Sequence, residues 1–310
     1  MPAMLIGCGV PVSGGWATPE NQVRFVRQAE DLGYRSAWTF QRLLVPAEPD
    51  ARSGQEAYRS VLDPVVSLAH LAGRTSRIRL GLAVLNMPFF SPALMAKQLS
   101  TLDILSAGRL DVGLGSGWSR DEFLASGTPY EHRGARAEEF LRALRALWTD
   151  DVVDFRGRFY QIPPTRMQPK PVQRPHPPVL LGGSAEAALR RAGRDADGWI
   201  SAAYADLRRI DEPIATVKQA AREAGRDPET LRFVCRGPVR LGPAGDPDRK
   251  PLTGSVDQVR ADLDDLHAKG VTEVFVDLNW DPEIGSPGAD PVAALRRAEQ
   301  ALVALAPTGP

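Results

Sequence analysis

Eight short apolar stretches alternate with helix-like stretches along the chain, and no unit breaks the order. The strand-like stretches are expected at residues 4–10, 34–40, 77–85, 110–114, 179–181, 198–201, 231–235 and 273–278. The first is apolar almost throughout rather than alternating, which suits a parallel strand buried on both faces. Helices are expected at 19–32, 64–73, 92–106, within 119–148, and at 185–194, 207–224, 256–269 and 291–306. Thr18-Pro19, Asp63-Pro64 and Asp290-Pro291 mark helix starts, and Gly33 and Gly270 mark stops. An unbroken strand–helix alternation implies parallel strands. Eight such units in 310 residues match an α/β fold of the (β/α)8 TIM-barrel type with loop insertions, read as one domain over 1–310. The insertions are a polar loop at 41–60, a small hairpin at 154–160 and a proline-dense excursion at 163–178. A doubly wound open sheet is the rival. It usually carries a phosphate fingerprint in its first turn, and Val10-Pro11-Val12-Ser13-Gly14-Gly15 has none.

Barrels hold ligands at the carboxyl ends of their strands, so those tips are where chemistry is sought. The fourth strand runs Leu110-Asp111-Val112-Gly113-Leu114 and opens into Gly115-Ser116-Gly117-Trp118, with Ser119 placed to cap a helix. Glycines here allow φ > 0 and close approach of a ligand, or they make a tight strand-to-helix turn. Gly182-Gly183-Ser184 ends the fifth strand and leads straight into a helix. It is the best candidate anion site, since free N–H groups and the helix dipole favour negative charge there, and it is equally readable as an ordinary turn. Asn86 ends the third strand, and Trp38, Phe40, Trp118 and Trp199 lie near strand ends, where they line a flat conjugated ligand or fill the core.

Composition excludes several classes. Net charge is +0, which argues against a nucleic-acid surface. Two cysteines, Cys8 and Cys235, rule out a disulfide framework and read as buried hydrophobes. No apolar run is long enough to span a bilayer, and no basic head precedes an apolar run at the N-terminus, so no membrane association and a cytoplasmic location are expected. His70, His132, His176 and His267 are scattered, and HExxH, CxxC, Walker and G-x-S-x-G motifs are absent, which leaves no metal site.

An ordered set of segments resembles the bacterial luciferase-like monooxygenase family, in particular its deazaflavin (coenzyme F420)-dependent branch. The segments are Gly33-Tyr34-Arg35-Ser36-Ala37-Trp38, Arg77-Ile78-Arg79-Leu80-Gly81-Leu82-Ala83-Val84, and the run from Leu102-Asp103 through Ser106-Ala107-Gly108-Arg109 to Gly115. Arg133-Gly134-Ala135-Arg136, Phe155-Arg156-Gly157-Arg158-Phe159-Tyr160, Pro178-Val179-Leu180-Leu181-Gly182-Gly183-Ser184 and Ala196-Asp197-Gly198-Trp199 complete the set. The resemblance implies a flavin or deazaflavin ring at the strand tips, with a non-prolyl cis peptide at Ala83-Val84 beneath it. It maps cofactor contacts onto Gln41, Ala83, Val84, Asn86, Ser116, Gly182, Gly183, Ser184 and Ala202.

Two departures bear on the substrate. Related sugar-phosphate dehydrogenases carry an Asp-His pair where this chain has Gln41-Arg42, and a Glu where it has Trp118; a nearby Asn is Asp121. The acid and base for oxidising a sugar hydroxyl are therefore missing, and no catalytic side chain is identified. Phe40, Arg42 and Trp118 are expected to face the substrate, with Arg42 as an electrophilic or tail-binding group; Arg42, Arg52 and Arg59 share one loop and could meet an acidic cofactor tail. The expectation is an F420-dependent oxidoreductase acting on a small organic molecule, as a homodimer. The alternatives are an FMN-dependent two-component monooxygenase, a non-catalytic flavin- or deazaflavin-binding barrel, and a barrel lyase or isomerase with Asp277 as its nearest carboxylate.

Overall fold

Four of the long helices start on one device. Thr18, Asp63, Ser91 and Asp290 each accept a backbone N–H from three residues ahead, and proline follows each of them. The side chain satisfies a donor that the first turn leaves free, and proline gives up only an N–H with no partner there. The computed structural model describes residues 3–50 and 53–307, and the helices so started are α1 (Pro19–Asp31), α2 (Pro64–Ala72), α3 (Pro92–Leu105) and α10 (Pro291–Ala304). Between α3 and α10 come α4 (Arg120–Ala125), α5 (Arg133–Thr149), α6 (Glu186–Asp195), α7 (Asp211–Glu223), α8 (Val256–Ala268) and α9 (Pro282–Gly285). Ser119 sits at the α4 N-cap, but its side chain accepts no capping bond, contrary to expectation.

The strands are β1 (Leu5–Gly9), β2 (Ser36–Thr39), β3 (Arg79–Leu82), β4 (Leu110–Gly115), β5 (Val179–Gly182), β6 (Gly198–Ile200), β7 (Arg232–Pro238) and β8 (Glu273–Asp277). Each pairs in parallel with its neighbours, and β8 pairs with β1, so the sheet closes into a (β/α)8 TIM barrel. The hairpin is formed by Val153–Arg156 and Gln161–Thr165. Its second strand takes in Pro163 and Pro164, the start of the segment expected to be extended surface chain. No helix among the described residues is long and apolar enough to cross a membrane.

The two ends of the barrel differ. At the amino ends of the strands, Asp111 takes hydrogen bonds from Arg79 (2.6 and 2.9 Å) and from Arg232 (2.8 and 3.1 Å), and Arg232 also reaches Glu273 (2.9 Å). Glu273 is hydrogen-bonded by Ser36 Oγ and by Trp38 Nε1. This charged lattice closes the floor. Above it Trp38, Leu180, Ile200, Val234 and Phe275 fill the interior, with Trp38 and Phe275 stacked at 5.5 Å. A second apolar layer lies between strands and helices and holds both cysteines.

Burial, reinforced by the charge of Asp277, pushes the Cys8 thiol well above its usual range; burial pushes Cys235 up to about 12. A thiolate is the reactive form, so neither side chain is primed to react. We expect no thiol to react with Ellman's reagent in the native protein and both to react after unfolding in guanidinium. A fast native reaction at either would contradict this packing.

Candidate active site at the strand tips

The third strand is not the continuous run that its apolarity suggests. β3 pairs with β4 in the register Leu80↔Leu110, the chain then breaks at Ala83-Val84, and Leu85-Asn86 rejoins β4 as Leu85↔Leu114. The register slips by one residue across the break, which makes it a bulge in the third strand. The Ala83-Val84 peptide is cis, as expected. The bulge sets Val84 against the tips of β4 and β5, where only glycines leave room. A Cβ on Gly115 would lie 2.7 Å from Val84 Cγ2, and one on Gly182 would lie 3.1 Å from Val84 Cγ1. The glycines of two different strands are thus explained together, as the space that lets Val84 form a raised floor.

Around Val84 lies a cavity of about 340 Å³. Its lining includes all nine positions expected to touch a cofactor: Gln41, Ala83, Val84, Asn86, Ser116, Gly182, Gly183, Ser184 and Ala202. Gln41 Oε1 accepts the Asn86 N–H (2.9 Å) and so ties the second strand tip to the third, while its buried Nε2 has no partner. Gly183 has φ +143°, and its carbonyl is held by Trp199 Nε1 (2.8 Å), so the loop before α6 is fixed from outside. These features fit a flat ring with a phosphate tail. There is a shaped floor, an orphan donor beside it, and a glycine loop opening onto a helix N-terminus at the edge.

Of the four aromatic candidates, Phe40 and Trp118 line the cavity. Trp38 is buried against Phe275, and Trp199 is buried behind the Gly183 loop. The structure moves Arg42 out of the cavity. Its side chain is 3 % exposed, sits 3.6 Å from Glu122, and lies between the rings of Tyr58 (5.1 Å) and Trp118 (4.8 Å). A guanidinium taken from water is held where a carboxylate and π faces receive it, and that site is behind the aromatic wall. Of the other two loop arginines, Arg59 pairs with Glu56 on the surface, and Arg52 lies outside the described residues. Asp277 is no free base, since Oδ2 accepts from Arg236 Nε (2.7 Å) and Oδ1 from the Asn279 side chain (2.8 Å).

Among the lining residues that escape the sequence reading, two bear on the chemistry. Tyr58 comes from the polar loop and packs edge-on against Phe40 and Trp280. Arg236 comes from β7, which was expected to end one residue earlier. No histidine or carboxylate lines the cavity among the described residues, and no group of His, Cys, Asp and Glu there has the makings of a metal site. The cavity can therefore position a ring and a partner molecule, but it offers no evident proton-transfer base.

The sequence model of the family described as luciferase-like monooxygenase matches residues 5–247. An uncharacterized protein of Mycobacterium tuberculosis is 40% identical over 210 residues, covering 65% of this chain and 73% of its own length. An FMNH(2)-dependent dimethylsulfone monooxygenase of Pseudomonas putida is 44% identical over 140 residues, covering 44% of this chain and 38% of its own. Among solved structures, the coenzyme F420-dependent tetrahydromethanopterin reductase of Methanopyrus kandleri superposes with a TM-score of 0.76 at 18% identity, over 98% of both chains. At that identity the likeness speaks for the fold.

Proposed function

The chain belongs to the luciferase-like monooxygenase family, and from that premise we propose that it is an F420-dependent oxidoreductase acting on a small organic molecule. The observation that carries the reading is the convergence of nine cofactor positions from five strand tips on one cavity around Val84. When bound, the reduced deazaflavin supplies hydride from its central ring. The rest is the work of the chain. Val84, seated on Gly115 and Gly182, would support the ring, and Gln41 Nε2, a donor without a partner, would hold it by a hydrogen bond. Ser184 and the free N–H groups at the start of α6 take the phosphate. Phe40, Tyr58 and Trp118 form an apolar wall that excludes water and holds the second molecule close. Among the described residues no histidine or carboxylate lines the cavity, which suits a reaction whose product is protonated by solvent once it leaves the aromatic wall.

A second reading, an FMNH2-dependent monooxygenase, is favoured by the similarity to the Pseudomonas putida enzyme. Anaerobic titration of the purified protein with F420, FMN and FMNH2, followed by absorbance and fluorescence, decides between them. Saturable binding of F420 at micromolar concentration, with weak binding of both FMN forms, is the expected result. The reverse preference moves the protein to the second reading, and indifference to all three rejects both.

A further inference from the structure

Arg236 is the feature of the cavity that the cofactor positions do not use. It lines the cavity at the β7 tip with a side chain only 6 % exposed. Its orientation is fixed from three directions. Nε donates to Asp277 Oδ2 (2.7 Å), the guanidinium lies 4.2 Å over the Phe40 ring, and its backbone N–H donates to Ser201 Oγ (2.9 Å). Nε is the one side-chain nitrogen with a protein acceptor, and Nη2 is buried with no partner. A buried donor without an acceptor is costly, and the structure holds this one rigidly beside an open space.

We propose that Arg236 is a substrate-binding residue, and that the substrate is an uncharged molecule whose carbonyl- or sulfonyl-type oxygen accepts from the free edge of the guanidinium. Charge decides against an anion. Asp277 is buried and sits on Arg236 already, so the pair is neutral overall. A carboxylate on the substrate would place a second negative charge against a guanidinium that Asp277 already neutralises. An uncharged acceptor uses the orphan donors and leaves the balance intact, and charge building up on that oxygen during reaction faces a guanidinium already in place. The position over the Phe40 ring puts this oxygen beside the aromatic wall. The inference rests on the proposed function for its division of the cavity into cofactor and substrate parts.

The test is ligand-observed NMR on the protein, first without cofactor and then with oxidised F420 or FMN, whichever the titration shows to bind. The probes are cyclohexanone, cyclohexene and cyclohexanecarboxylate: one shape with a neutral acceptor, no acceptor and an anion. Wild type is expected to bind cyclohexanone about ten-fold more tightly than the other two, the usual scale for a hydrogen bond from a charged donor. Arg236→Lys keeps a cation for Asp277 and removes the free edge, so it should erase that preference and leave the cofactor Kd unchanged. If Arg236→Lys does not fold, the double variant Arg236→Gln/Asp277→Asn, which buries no lone charge, serves the same purpose. Tightest binding of the carboxylate overturns the uncharged class. A ketone preference that survives in the variant, or a variant that loses cofactor affinity instead, overturns the assignment of Arg236. Failure of every cofactor to bind wild type sinks the proposed function alone, because the ketone preference is read on the cofactor-free protein.

Discussion

Replacing Asp111 with alanine should destabilise the protein by about 3–5 kcal/mol, the usual cost of removing one partner from a buried charge cluster. Folded domains are stable by only about 5–15 kcal/mol, so such a variant is at the edge of folding. Asp111 is fully buried and receives two hydrogen bonds from each of Arg79 and Arg232. Without it two guanidinium groups are left on the barrel floor with one carboxylate, Glu273, which pairs with Arg232 alone of the two. Asp111→Asn keeps the shape and should lose less. The acid side gives a second reading. Burial by itself raises the Asp111 pKa, but the hydrogen bonds and charges of Arg79 and Arg232 outweigh it, so the folded-state value lies below the ordinary one. A depressed folded pKa gives stability that is complete above the unfolded value, about 3.9, and lost as pH falls through the folded one. Urea unfolding at neutral pH and below pH 4 should therefore show wild type losing this contribution in acid and Asp111→Asn losing less of it. A neutral-pH difference under about 1 kcal/mol for Asp111→Ala would mean that the floor lattice is not a stabilising element.

The sequence shows the barrel and hides the way its rim is assembled, for a physical reason that repeats. β1 is legible because a strand buried on both faces is apolar almost throughout, and β4 and β8 are legible from the apolar residues around Asp111 and between Glu273 and Asp277; both are local properties. The helix starts are legible because Thr18-Pro19 or Asp63-Pro64 caps its own helix. Arg236 is not legible. An arginine after Leu231-Arg232-Phe233-Val234-Cys235 reads as the end of a buried strand, and what permits β7 to continue to Pro238 is Asp277, 41 residues on. Arg42 fails in the same way: a charge in a polar loop looks free to meet a ligand until Glu122, on α4, takes it. Tyr58 belongs to a stretch with no periodicity and is held at the rim by contacts from across the fold, among them Phe40, Trp280 and Arg42. The break at Ala83-Val84 leaves no trace in hydrophobicity and was indicated by resemblance alone. Burial reads from pattern; charge pairing across the fold does not.

Ser184→Asp should weaken binding of the phosphate-bearing cofactor about 10- to 30-fold while leaving the protein as stable as before. Ser184 is exposed just ahead of α6, so the substitution disturbs no packing, and the start of a helix tolerates a carboxylate well. For the same reason the introduced carboxylate occupies the electropositive end that the phosphate is proposed to use. Two like charges about 5 Å apart repel by roughly 3 kcal/mol at an effective dielectric near 20, and exposure and salt reduce this to about 1.5–2 kcal/mol. The decisive comparison is with the riboflavin-type analogue of the same cofactor, which has the ring and lacks the phosphate. Its affinity should be unchanged by Ser184→Asp, and added salt should narrow the gap between variant and wild type for the phosphate-bearing form only. Equal losses for both ligands would place the ring, not the phosphate, at Ser184. No loss for either would put the phosphate elsewhere on the rim, with Arg133, the other lining cation, as the alternative anchor.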